Sequence, residues 1–357
     1  MDSNKSKKYF TKQLKEWHAS ENTRSLPWKS EKDPYKIWLS EVILQQTRAL
    51  QGLPYYLRFV EQYPTVHALA GAVDEEAFRL WQGLGYYNRC KNMLATARMI
   101  VKDFGGKFPG TYEQLLILKG IGPYTAAAIA SFAYGEPKAV VDGNVYRVLS
   151  RCFGIDTPFD ITEGKKQFAS LAQELLDVNN SAAYNQAIMD LGATVCTPRN
   201  AQCSICPIQK KCIAFNSQIV GLLPIKSKKL VVKKRYFHYL LFKYDGSIWI
   251  HKRTGNDIWE NLHEPFLIEH TQPIDLKSIT SHNSLIKSNI PPEIVIYEGS
   301  SSQRLTHQII EARFFGITLK KRPAFLNRSG SWVPVGDLHK MAFPKTVVSF
   351  LKNNLYF

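Results

Sequence analysis

Acidic residues are the scarce class in this chain. Against 46 lysines and arginines stand 30 aspartates and glutamates, a formal net charge of +16 with a pI near 9.4. A surface short of carboxylates suits a polyanionic partner, and the aromatics interleaved with the charge favour nucleic acid over a merely soluble basic surface. Long apolar runs are missing as well. The longest, Tyr124 to Tyr134, is too short to span a bilayer. The opening MDSNKSKKYF is polar and basic, without the apolar core of a signal peptide. The expectation is a cytoplasmic monomer with no membrane partner. Cysteines number only six, and in a reducing compartment they are expected as thiols or metal ligands and not as disulfides. No internal repeat relates the two halves. What is present is 357 residues of 45% apolar content, enough for two domains and a sizeable core.

Over residues 1–217 the apolar spacing is helical with polar caps. Asp33-Pro34 opens a helix through about Arg48, and Ser181 opens one that runs to Val195. Residues 218–235 form a basic, proline-containing linker with few packing residues, and its lysines can also touch a phosphate backbone. Over 236–357 the pattern changes. Tyr236 to Lys243 and Ser247 to Arg253 alternate like strands around Asp245-Gly246, a strong hairpin signal. Further strands are expected at Glu293 to Tyr297 and about Gln308 to Leu319, with a short helix starting at Pro344. The expected fold class is multidomain, mainly α followed by α+β.

The run LKGIGPYTAAAIASFAYGEPKAVVDGN, from Leu118 to Asn144, carries the first functional signal. Thr111 and Gln114 make a capping box for a helix through Lys119, and Gly120 supplies the positive φ that ends it. Pro123 fits the first turn of a second helix ending at Gly135. With no side chain at Gly120 or Gly122, a phosphate can approach the backbone, and the N–H groups from Gly122 to Thr125 point at it with the helix dipole behind them. The segment over 111–135 looks like a helix-hairpin-helix, a clamp for nucleic acid of any sequence, with an ordinary helix turn as the alternative.

Two carboxylates stand out. Asp142 precedes a helix through Arg151 and has the position of an N-cap. Glu41 shares a helix face with Ile37 and Leu44, which puts a carboxylate on an apolar stripe. Desolvation raises the pKa of such a group, so Glu41 is either a protonated acid near neutrality or a structural partner of Arg24 or Arg48. A protonated Glu and an ionised Asp are the pair needed to split an N-glycosidic bond. Four cysteines, Cys196, Cys203, Cys206 and Cys212, fall in one short segment with unequal spacings. They can hand four thiolates to one centre, either zinc or an iron-sulfur cluster, although zinc sites more often show two CXXC knuckles across a longer gap. Cys90 and Cys152 lie far from them in sequence and read as core or surface thiols.

The runs LPWKSEKDPYKIWLSEVILQQT, GLGYYNR, LKGIGPYTAAAIASFAYG with VVDGNVYRV, and YNQAIMDLGATVC with the cysteine loop resemble, in order, the MutY-type adenine DNA glycosylases of the helix-hairpin-helix superfamily. The resemblance covers about residues 8–215 and, more weakly, the second domain. It implies excision of adenine opposite 8-oxoguanine or guanine in duplex DNA, and a 4Fe-4S cluster on Cys196, Cys203, Cys206 and Cys212. Glu41 would protonate adenine N7, Asp142 would stabilise the sugar cation and a covalent sugar intermediate, and Tyr124 and Asn144 would position them. Trp28 and Leu44 would supply faces for the base, and Arg24 and Gln186 polar contacts to its edge. Gln46 would plug the emptied stack, with Tyr86 as an intercalating ring and Leu84 nearby. Related endonuclease III-like enzymes, which also nick the strand, carry a Schiff-base lysine where this chain has Tyr124, so a monofunctional glycosylase is implied.

The same resemblance implies a C-terminal domain similar to the Nudix hydrolases. Their metal-binding Gly-X5-Glu-X7-Arg-Glu-X2-Glu-Glu signature is absent from residues 230–357, so binding and not hydrolysis is expected there. Leu305, Thr306 and His307 align with a Phe-Ser-His loop that contacts 8-oxoguanine. The hydroxyl and imidazole are kept, and the aromatic wedge is lost at Leu305.

Overall fold

The computed structural model describes residues 3–227, 231–255, 257–282, 285, 294–328, 330–354 and 356. Linker residues 228–230 and the expected strand residue 293 lie outside the described residues. The chain divides into two compact units, one of residues 1–71 and 92–229, the other of residues 72–91 and 230–357. Residues 72–91, inside the expected first domain, thus group with the second unit.

The first unit is helical. Its elements are α1 (Ser3–Ser20), α2 (Pro34–Leu44), α3 (Ala49–Gln62), α4 (Val66–Ala70), the greater part of α6 (Asn88–Phe104), α7 (Tyr112–Leu115), α8 (Pro123–Tyr134), α9 (Gly143–Phe153), α10 (Thr162–Leu175), α11 (Ser181–Thr194) and α12 (Ile213–Asn216). Phe10, Leu14 and Trp17 of α1 join Val145, Val148 and Leu149 of α9, Phe168 of α10, and Tyr184, Ile188 and Leu191 of α11 in one buried core. Helix α2 stops at Leu44, short of the expected Arg48. Gln46 adopts a φ of 55° and Thr47 donates to the Leu44 carbonyl at 3.0 Å, a tight turn that breaks the helical ladder. The polar run Gln45 to Arg48 separates α2 from the apolar residues of α3. Likewise the helix expected to run to Lys119 is α-helical only over Tyr112–Leu115. Beyond it Ile117 and Leu118 bond to carbonyls three residues back, the tighter 3₁₀ pattern.

The second unit contains α5 (Asp74–Trp81), α13 (Leu276–Thr280), α14 (Lys345–Asn353) and a mixed sheet. The strands are β1 (Lys233–Tyr244), β2 (Ser247–Lys252), β3 (His263–Glu264), β4 (Phe266–His270), β5 (Val295–Arg304), β6 (Gln308–Thr318) and β7 (Ser331–Pro334). Their order is β3-β2-β1-β6-β5, with β4 also on β1 and β7 on β2. Strand β1 is the centre. It pairs in parallel with β6 from Lys233↔Gln308 to Lys243↔Thr318, while its other edge is shared by β4 and β2. The expected hairpin is present, with Asp245 and Gly246 both at positive φ, as a type I′ turn requires. Glu75 of α5 accepts from the Ala342 N–H at 2.9 Å and Gln82 from that of Phe343 at 3.2 Å, which joins residues 72–91 to the sheet unit.

Candidate active site and a thiol-lined cavity

Helix α2 is buried on nearly every side, from Tyr35 through Ile43, so Glu41 has no water-facing position to take and is 7% exposed. Burial pushes its carboxyl up to about 7; a hydrogen bond with the Tyr124 hydroxyl opposes the rise and the Asp142 charge adds to it. Glu41 is therefore not paired with Arg24 or Arg48. Tyr124 is the second residue of α8. Burial and the two nearby carboxylates hold its phenol well above the ordinary range, so it remains a donor. Asp142 caps α9: Oδ1 accepts the Val145 N–H at 2.8 Å, and Oδ2 accepts the Asn144 amide at 2.6 Å. Burial pushes the Asp142 carboxyl up, while these donors and Arg147 pull it down. The structure thus brings Glu41, Tyr124, Asp142 and Asn144, from α2, α8 and α9, into one group.

Helix α11 closes this group from another side. A Cβ on Gly192 would fall 2.6 Å from Asn144 Cβ, so only glycine permits the approach. Met189 Sδ lies 3.9 Å from the Tyr124 hydroxyl. Gln186 and Arg24, expected as base contacts, both bond to Asp190. Leu44 ends α2, on the face that carries Glu41. Trp28 stands edge-on to Tyr56 at 5.3 Å, outside the hydrogen-bonded set.

The hairpin geometry is present. Thr111 accepts the Gln114 N–H at 3.3 Å, and Gly120 has a φ of 77° with Asn92 packed where a Cβ would lie. Gly122 is exposed with open space at its Cα, and the first helical bond of α8 runs from Ala126 N–H to its carbonyl, so the N–H groups before Ala126 face outward from the helix end. The Thr125 side chain is buried instead, its hydroxyl accepting from Gln45 at 3.3 Å, so only its backbone is on the outer side of the helix start. Gln46 sits exposed on the turn after α2 and not on the helix itself. In the second unit Tyr86 is 44% exposed at a φ of 49°, whereas Leu84 is 5% exposed and presents no face outward. Leu305 to His307 form the tip between β5 and β6, closed by the Leu305 N–H to the Gln308 carbonyl at 2.7 Å. The Thr306 hydroxyl contacts that of Tyr86, 220 residues away in sequence.

Cys196, Cys203, Cys206 and Cys212 line one cavity with Val148, Arg151 and Val195. Among the described residues no three His, Cys, Asp or Glu side chains are placed to hold a metal ion. The four thiols instead line one cavity together, soft donors of the kind that ligate a thiolate-bound metal centre. Cys152, expected far away, also lines this cavity, because α9 runs alongside the loop. Buried Arg151 of the same helix binds the loop carbonyls of Thr197 at 2.8 Å and Pro198 at 3.1 Å, and reaches Cys196 Sγ at 3.4 Å. Arg147 donates to the Cys196 carbonyl and to Asn144 Oδ1, each at 2.7 Å. Neither arginine nor Asp190 was singled out from sequence. Asp190 carried the same signal as Glu41, an acid amid apolar residues on a helix.

Residues 39–176 match the HhH-GPD superfamily base excision DNA repair protein family. The chain is 35% identical over 253 residues to an adenine DNA glycosylase of Buchnera aphidicola from Schizaphis graminum, covering 71% of this chain and 73% of that one. It is 42% identical over 215 residues to the adenine DNA glycosylase of Mus musculus, 58% of this chain and 42% of that one. Among solved structures it is similar to a thermostable thymine-DNA glycosylase, with a TM-score of 0.57 and 28% identity over 61% of this chain and all of the other. The helical unit has the HhH-GPD glycosylase fold, and the chain belongs to the adenine DNA glycosylase family.

Proposed function

We propose that this protein excises adenine from duplex DNA in which it is mispaired with 8-oxoguanine or guanine, and leaves the strand intact. The observation that carries the reading is the buried Glu41 carboxyl, raised to about 7, bonded to Tyr124 and close to Asp142. The hairpin N–H groups grip a phosphate, Gln46 fills the gap left by the flipped base, and the exposed ring of Tyr86 enters the stack. Leu84 is too deeply buried to share that task. Glu41 delivers its proton to N7 of the adenine as the C1′–N9 bond breaks, and the bonding pair leaves with the base. Asp142, aligned by Val145 and Asn144, stabilises the sugar cation and takes it as a covalent ester. Water then adds at C1′, its proton returns to Glu41, and the Asp142 carboxylate is released. No amine stands at Tyr124 to form a Schiff base, so strand cleavage does not follow.

Cys196, Cys203, Cys206 and Cys212 would hold a 4Fe-4S cluster, which when bound organises the basic loop bearing Arg199, Lys210 and Lys211. The second unit is read as a Nudix-like recognition domain. Thr306 and His307 at the β5–β6 tip would contact 8-oxoguanine, and the Thr306–Tyr86 contact supports a shared task for these positions.

The test is release of adenine from duplexes with adenine opposite 8-oxoguanine or guanine, with Glu41→Gln as control. Release by the unsubstituted protein alone is expected, without covalent trapping on abasic DNA by borohydride. No release, with the cluster intact, would make the chain a DNA binder that has lost catalysis. Strong trapping would instead indicate a lyase.

A further inference from the structure

Asp190 on α11 is wholly buried and accepts from four side chains. Its Oδ1 takes Arg24 Nη1 at 2.7 Å and Gln186 Nε2 at 3.1 Å, while its Oδ2 takes Asn22 Nδ2 at 2.7 Å and Lys29 Nζ at 2.5 Å. A carboxylate facing two cations only accepts. The Gln186 amide must then turn its nitrogen toward Asp190, which leaves its oxygen to meet a ligand. This face of α11 borders the reaction group, since Met189 touches the Tyr124 hydroxyl and the Arg24 charge is felt at the Tyr124 phenol. Asp190 Oδ1 thus binds Gln186 Nε2 and Arg24 Nη1 side by side, which sets an acceptor, Gln186 Oε1, next to a guanidinium whose remaining N–H groups can donate.

We propose that Asp190 is a positioning residue that makes the base pocket selective for a 6-aminopurine, by locking the Gln186 carbonyl outward beside Arg24; the inference rests on the excision reading above. The edge of adenine presents an amino donor next to a ring-nitrogen acceptor, which matches acceptor and cation in turn. Hypoxanthine and guanine present the reverse, a carbonyl beside an N–H. A free glutamine amide could rotate to satisfy either edge, and the buried carboxylate removes that choice.

The test is single-turnover excision by the full chain of adenine, hypoxanthine and unsubstituted purine, each opposite 8-oxoguanine. Asp190→Asn lets the amide rotate. Adenine excision should slow about tenfold, and purine, which has no amino group to lose, by less than about threefold. The preference for adenine over hypoxanthine should narrow accordingly. Asp190→Glu keeps the acceptor and should retain the preference. Gln186→Met removes the outward oxygen without touching the buried carboxylate, and should reproduce the narrowing even where Asp190→Asn does not fold. Equal slowing of all three bases by Asp190→Asn, or an unchanged preference in Gln186→Met, would overturn the role of Asp190 alone. No release of any base by the unsubstituted protein would overturn the excision reading and this inference with it.

Discussion

Glu41 is costly to the fold at neutral pH, and the proposed reaction requires it. Its carboxyl is held protonated up to about 7 against an ordinary 4.5, so its contribution to stability is fully present below pH 4.5 and is lost as pH rises through about 7. That loss amounts to roughly 3 kcal/mol. Glu41→Gln cannot ionise. It should match the unsubstituted chain in thermal denaturation at acidic pH and exceed it by up to about 3 kcal/mol at pH 8, while adenine release falls by about 10² to 10⁴. The single-turnover rate of the unsubstituted protein should likewise fall as pH rises through about 7, the acid having lost its proton. An acid on an apolar stripe was enough to find Glu41. The same signal at Asp190 is not decisive in the sequence, because its partners Asn22, Arg24 and Lys29 lie far off and no local spacing links them.

At the level of elements, the hairpin separates two kinds of glycine. Gly120 needs a positive φ and has Asn92 where a Cβ would go, whereas Gly122 has an ordinary φ and open space. Gly120→Ala should lower stability by about 1 to 3 kcal/mol. Gly122→Ala should leave the denaturation midpoint nearly unchanged and weaken duplex binding, because a methyl group then meets the phosphate. Calorimetry beside binding titrations distinguishes the two. Turn chemistry at the hairpin and at Asp245-Gly246 was legible because glycine placement reports φ directly. The end of α2 was not legible, because Gln46 is not a residue that announces a left-handed φ.

At the scale of the whole molecule, charge and thiols give two further expectations. An excess of 16 positive charges makes duplex binding a matter of counterion release. Affinity should fall linearly in log-log form with salt, by about 10³ or more between roughly 50 and 200 mM for six or more phosphate contacts. Iron and acid-labile sulfide should be lost on Cys206→Ser and kept on Cys152→Ser, although both residues line the cavity. Loss with Cys152→Ser instead would put that thiol among the ligands. Sequence spacing set Cys152 apart from the loop, and packing of α9 along the loop brought it near.

The sequence by itself determined the helical and α+β halves, the hairpin turn, the clustering of four cysteines and the acid on an apolar stripe, because periodicity, glycine and proline placement and a charge on an apolar face are local properties. Tertiary structure alone decided the rest. It joined Asp190 to Arg24, Lys29 and Gln186, set Thr306 against Tyr86, buried Leu84, and assigned residues 72–91 to the sheet unit. Each of these depends on which distant surfaces meet, and contacts at long sequence separation are set by packing the whole unit and not by the residues on either side.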